Sequence, residues 1–316
     1  MKQSTILRAS GIAMAAMLAS ASTSFAQDAE ADRSSSAVFM DEVITTATKS
    51  QDVETVQDVP VAVTALNSDT LEALKVRDLE QLAFTAPNVQ LDDIGTTRGT
   101  ANFSIRGLGV NSSIPSIDPT VGVFVDGVYL GVNTGVVFDI FDLESVEVLR
   151  GPQGLLFGRN TTGGAVLVNT TNPTDDMRYR VRAAIESPLD GDRGGASSYF
   201  MGTLTGPIVE GKLNGKIAGY FNNDEGYFRN LNDNSNQGAA RTHILRGGLD
   251  WFPTEGLKIS AKGEYFDSRG DGPAAQNTGF FDRDTFDFSI DEPGFYENEI
   301  ISGTVRVDYD VDFGDG

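Results

Sequence analysis

The residues of this chain with types and spacing suited to chemistry lie in three glycine-rich motifs: SIRGLG at 104–109, VGVFVDGVYLG at 121–131 and LESVEVLRGPQGLLFGRNTTGGAVLVNTTNPT at 143–174. Arg106-Gly107 and Arg150-Gly151-Pro152 each put a guanidinium beside a turn. Such a group in a polar interior needs a carboxylate, which it holds through paired N–H···O bonds. Asp126-Gly127, flanked by apolar residues, is a hairpin signal. Gly154, Gly158, Gly163 and Gly164 complete the third motif, where glycine supplies positive φ or close backbone approach.

The composition excludes most other chemistry. There is one histidine, His243, and no cysteine, so no Ser/His/Asp or Cys/His set forms away from His243, and no nucleophile elbow lies near it. No catalytic residue is assigned, and the chain is read as a non-enzyme. The run GPQGLLFGRNTTGG lacks the G-K-[ST] ending of a phosphate loop. Transition-metal sites want imidazole or sulfur, so no metal ligand and no cofactor is assigned. A formal net charge of −21 argues against nucleic acid as a partner.

The elements that must position these motifs are legible in order. Lys2 and Arg8, the apolar run 12–18 and Ser24-Phe25-Ala26 make residues 1–26 a cleaved signal peptide. Residues 27–57 read as a flexible tail, too short for an extra domain, with a β-branched segment at 41–48 (DEVITTAT). Residues 58–174 read as an α+β domain: a strand near 58–64, a helix opened by Asp69 and Glu72, a second opened by Asp78 and Gln81, and the motif strands gathered in one small mixed sheet. Residues 175–316 switch to period two, with about six strands, at 178–187, 198–206, 212–222, 243–252, 257–266 and 300–311. Short turns at 207–211 and 253–256 alternate with long polar loops at 223–242 and 267–299, the pattern of a transmembrane barrel.

The three motifs, in this order after a secretion signal, resemble the plug domain of TonB-dependent outer-membrane receptors. The resemblance implies an α+β plug followed by antiparallel transmembrane β-barrel strands, the barrel incomplete in this chain, which then reads as an N-terminal piece of a longer receptor. It implies location in the outer membrane of a Gram-negative bacterium, against lipid and lipopolysaccharide, and uptake of a scarce solute driven by TonB and its inner-membrane proton-driven motor complex. The small-molecule cargo implied is a metal chelate, foremost a ferric siderophore. Cobalamin, haem or an oligosaccharide is the alternative, and a passive porin or surface binding protein the alternative class. Asp41, Glu42, Val43, Ile44, Thr45, Thr46, Ala47 and Thr48 resemble the TonB box, an accessible strand that adds to a partner's sheet. Arg106, Gly107, Asp126, Gly127, Arg150, Gly151, Pro152, Gly154, Gly158, Gly163 and Gly164 match the plug motifs, and Arg106 and Arg150 resemble its plug-to-barrel contacts.

Overall fold

The computed structural model describes residues 44–45, 54–55, 59–74, 78–93, 99–110, 117–131, 141–188 and 194–310; the signal peptide read at 1–26 lies outside them, as does the tail read at 27–57 except at 44–45 and 54–55. Strand β1 (Ile44–Thr45) pairs antiparallel with β2 (Glu54–Thr55), and β3 (Ala62–Asn67) follows. The first helix, Ser68–Ala73, is capped by Asn67 rather than by the box expected at Asp69 and Glu72, because the Asn67 side chain accepts from the Thr70 N–H at 2.9 Å. The second, Leu79–Leu82, has the expected cap: Asp78 accepts from the Gln81 N–H at 2.9 Å and from its side-chain amide at 3.1 Å.

Next come β4 (Val89–Asp93), β5 (Ala101–Ile105) and β6 (Leu108–Gly109), then β7 (Val121–Val125), β8 (Val128–Tyr129), β9 (Leu143–Arg150) and β10 (Gly164–Thr170). They divide into two sheets, not the single one expected. The SIRGLG strand β5 sits in a three-stranded sheet, β4-β5-β6, because its sequence neighbours supply both partners. The other sheet has the order β3-β9-β10-β7-β8, with β10 parallel to β7 and every other pairing antiparallel. Leu79, Leu82, Leu91, Ile105, Val146, Val166 and Val168 form the core between them.

Six long strands make the wall, in the meander order β11-β12-β13-β16-β17-β19. They are β11 (Arg178–Glu186), β12 (Ser197–Val209), β13 (Leu213–Asp224), β16 (Ala240–Thr254), β17 (Leu257–Asp271) and β19 (Phe295–Tyr309). Burial alternates residue by residue along β16, with Thr242, Ile244, Arg246, Gly248 and Asp250 covered, while Leu245, Leu249 and Trp251 are open. Tyr179 and Ile185 on β11 are 81% and 82% exposed. A water-soluble sandwich buries that apolar face; here it points away from the protein and the polar face turns to the plug. A Val, Leu, Ile or Phe side chain left in water forgoes about 1.5–3 kcal/mol of burial, so this face is arranged as in a barrel wall and not as in a soluble sheet.

The two long loops fold together rather than standing as separate solvated coils. Between β13 and β16 lie β14 (Phe228–Asn230) and β15 (Ser235–Gln237), and β18 (Asp287–Phe288) from the second loop pairs parallel with β14. Two buried amides hold them. Asn230 donates to and accepts from the backbone of Ile290, at 2.8 and 3.1 Å, and Gln237 donates to Gly272 O and Pro293 O. Among the described residues, no group of three His, Cys, Asp or Glu side chains converges as a metal site, the acidic loop included.

Candidate functional site

Strand order decides where the plug meets the wall. The antiparallel β9 begins where β10 ends, and the parallel β7 ends there too, pairing Thr170 with Leu143 and Val168 with Val125. Three strand ends therefore meet at one end of the sheet, carrying Asp126, Phe141, Asp142, Thr170 and Thr171. Asp126 and Gly127 form a tight turn with φ of 49° and 81°, the positive values that a two-residue hairpin turn requires. Asp142 also adopts a left-handed φ, 55°. Each aspartate grips the end of β10: Asp126 accepts from the Thr170 N–H at 3.0 Å and its hydroxyl at 2.7 Å, and Asp142 from the Thr171 hydroxyl at 2.5 Å.

Three cations on the inner face of the wall complete this cluster. Lys216 on β13 donates to Asp142 at 2.6 Å, to the Thr171 hydroxyl at 3.0 Å and to the Thr171 carbonyl. Lys262 on β17 donates to Asp126 at 2.9 Å, to the Thr170 hydroxyl at 3.0 Å and to its carbonyl at 3.3 Å. Arg246 on β16 donates to the Phe141 carbonyl and to Glu264, its guanidinium 5.5 Å from the Phe141 ring centroid. Register sets the spacing, since Lys216 and Lys262 both lie directly across from Gly248. A Cβ at Gly248 would stand in ordinary contact with Pro173, 3.4 Å away in the link between plug and wall. The Lys216–Asp142 side chains are only 2% and 1% exposed, against 21% and 18% for Lys262–Asp126.

Among the motif residues, Asp126 touches the wall. Arg106 and Arg150 make no ion pair among the described residues; Arg106 is exposed in the β5–β6 turn, Arg150 is half-buried, and its Nε has no partner. The two lie close together, since a Cβ on Gly151 would stand 3.3 Å from the Arg106 guanidinium. Gly164 is a close-approach glycine, where a Cβ would fall 2.3 Å from the Leu149 carbonyl oxygen. Gly107, Gly151 and Gly158 take positive φ; Pro152 and Gly154 are exposed between them, and Gly163 packs under Leu108. Lys216, Lys262, Arg246 and Asp142 did not stand out in the sequence, although a lysine on the polar parity of two wall strands was a usable signal.

The box segment enters the described residues only at Ile44 and Thr45; Asp41, Glu42, Val43, Thr46, Ala47 and Thr48 lie outside them. Those two residues are extended, and Thr45 is buried rather than accessible. Its hydroxyl donates at 2.5 Å to Glu147, a carboxylate wholly buried on β9 that also accepts from Asn169 at 3.2 Å.

An apolar-outside sheet of antiparallel strands, with an α+β domain fastened to its polar face, defines an outer-membrane barrel protein carrying an internal plug. Residues 55–165 match the TonB-dependent Receptor Plug Domain, so this part of the chain is a plug of that kind. The pesticin receptor of Yersinia pestis is 30% identical over 158 residues, covering 50% of this chain and 22% of the relative. The probable TonB-dependent siderophore receptor PirA of Acinetobacter baumannii is 24% identical over 219 residues, 62% of this chain and 28% of the relative. These alignments span 22% and 28% of the length of those two relatives. In fold, the chain is similar to the crystal structure of the ferric yersiniabactin uptake receptor FyuA from Yersinia pestis, with a TM-score of 0.69 at 24% identity over 80% of this chain and 39% of that one.

Proposed function

We propose that the receptor to which this chain belongs takes up a scarce, large solute across the outer membrane, driven by TonB and the inner-membrane proton gradient, and that its cargo is a ferric siderophore. The observation that carries the reading is a plug fastened to the wall, with the neighbouring ends of β7, β9 and β10 resting on wall lysines and the box strand folded back onto the plug's own Glu147. An outer membrane has no gradient of its own, so a plug so tied needs force from outside to shift. The 41–48 segment is the proposed handle, reached by strand addition once it leaves Glu147. The siderophore half draws on similar proteins, an uptake receptor for ferric yersiniabactin among them.

Within this reading, residues 1–26 are the signal peptide, 27–57 the tail, 58–174 the plug and 175–316 the first wall strands. Lipid and lipopolysaccharide lie against the exposed apolar face. Arg106 and Arg150 are the proposed partners of carboxylates on further wall strands. The test is uptake of iron-loaded siderophore by iron-starved cells carrying the full receptor, with and without a protonophore. Uptake that survives collapse of the gradient sinks the energised reading; gradient-dependent uptake of cobalamin, haem or an oligosaccharide in place of the iron chelate replaces the cargo.

A further inference from the structure

We infer that Lys216 and Lys262 are two separate stops that hold one edge of the plug on the wall while the rest is pulled away. The inference rests on the uptake reading for its purpose, and on geometry for its content. A force applied at 41–48 first frees Thr45 from Glu147 and opens the β1–β2 pair, then reaches β3, an edge strand paired only with β9. Peeling an edge strand breaks its hydrogen bonds one after another. The next parts along the chain, the helices at 68–73 and 79–82 and the sheet β4-β5-β6, have one described ion-paired tie to the wall. It joins Glu72 to Arg180 and Arg182, all of them two-fifths or more exposed, where water and salt weaken such pairs.

Unravelling then meets Asp126, where Lys262 holds both the carboxylate and the end of β10. Beyond it lies Asp142, where Lys216 repeats the arrangement one residue further along β10, with Asp142 and Thr171 in place of Asp126 and Thr170. Arg246 on Phe141 reinforces the second stop. What leaves the wall first is residues up to about 125; what stays is the β7–β8 turn, the start of β9 and the end of β10. These lysines act by positioning, since they hold the plug and touch no cargo.

The test is force spectroscopy on the full receptor in a lipid bilayer, pulled from a single cysteine at Asp41→Cys, with any cysteine beyond residue 316 replaced. From residue 41 to Asp126 is about 85 residues, so the first stop falls at roughly 300 Å of released chain, and the second, at Asp142, at roughly 360 Å. Lys262→Met should remove the first stop only, and Lys216→Met the second only. Pairing each with Asp126→Asn or Asp142→Asn removes the same stop without leaving a buried charge alone. Lys258→Met, whose partner Asp250 is on the wall itself, should leave both. Release of the whole plug in one step from the unaltered receptor overturns the inference, as do stops that persist in the lysine variants. Neither outcome depends on cargo or on TonB, so the uptake reading stands or falls separately by the protonophore experiment.

Discussion

Replacing Lys216 by methionine tests how much the plug–wall contact depends on one buried charge. The side chain keeps its length, while Asp142 and the Thr171 carbonyl lose their cation in a place where both partners of the pair are almost fully covered. Removing one member of a buried ion pair costs about 3–5 kcal/mol, because the other charge stays behind without compensation. At 1.4 kcal/mol per tenfold, the end of β10 should open roughly 100- to 3,000-fold more often. Lys262→Met strikes a pair about a fifth exposed, where water replaces part of what is lost; a charged hydrogen bond of about 1.5–3 kcal/mol sets its scale, roughly 10- to 100-fold. Native-state hydrogen exchange at the Thr170 and Thr171 amides of the reconstituted receptor reads both. Asp142→Asn combined with Lys216→Met should recover most of the protection, since no unpaired charge remains. A change under tenfold for Lys216→Met, a larger one for Lys262→Met, or a double variant as open as the single would refute the reasoning.

Three other outcomes are expected. Burial holds the Glu80 carboxyl above its ordinary value of 4.5, and Asp78, Asp93 and Asp92 add to that against an opposing bond from the Asp93 N–H. The stability linked to its proton is present below about 4.5 and lost as pH rises through the folded value, so Glu80→Gln should raise the plug's denaturation midpoint at pH 7 and make little difference at pH 4. Thr45→Val removes the hydroxyl that Glu147 accepts, and should speed maleimide labelling of a cysteine placed at Ala47; an unchanged rate would mean that Glu147 does not hold the strand. Replacing Ile44 or Thr45 by proline removes an N–H and restricts the preceding residue, so at least one variant should abolish uptake while surface binding of cargo persists, with alanine much milder, and wild-type transport by both would remove the box assignment.

The wall was legible because its signal is repeated. Six alternating stretches give the six strands, and the short turns between β12 and β13 and between β16 and β17 fall where Pro, Gly and charged residues cluster. The alternation could not say which face was covered. That required knowing that Leu245, Leu249 and Trp251 stay open while Arg246 and Asp250 are buried, the reverse of a soluble sheet. The Asp126-Gly127 turn was legible for a local reason, since few residue pairs accept positive φ twice in succession. Lys216 and Lys262 were not, because what singles them out is a register across three strands with Gly248 between them. The box strand's burial was equally hidden, depending on Glu147 a hundred residues away.

The polarity of the contact follows from how strands end. Residues leaving β10 have backbone groups with no further sheet partner, and buried backbone groups of either kind need one. Aspartate suits the N–H side: it tolerates a left-handed φ and its carboxylate can accept, as Asp126 does from Thr170. The carbonyls need donors, and a carboxylate has none to give. Each wall cation supplies one: Lys216 to Thr171 O, Lys262 to Thr170 O and Arg246 to Phe141 O. Acids in place of these three cations would take away the donors that the carbonyls have here. Acids on the plug and bases on the wall thus answer the strand ends here, whatever polarity Arg106 and Arg150 impose at the far end of β5 and β9.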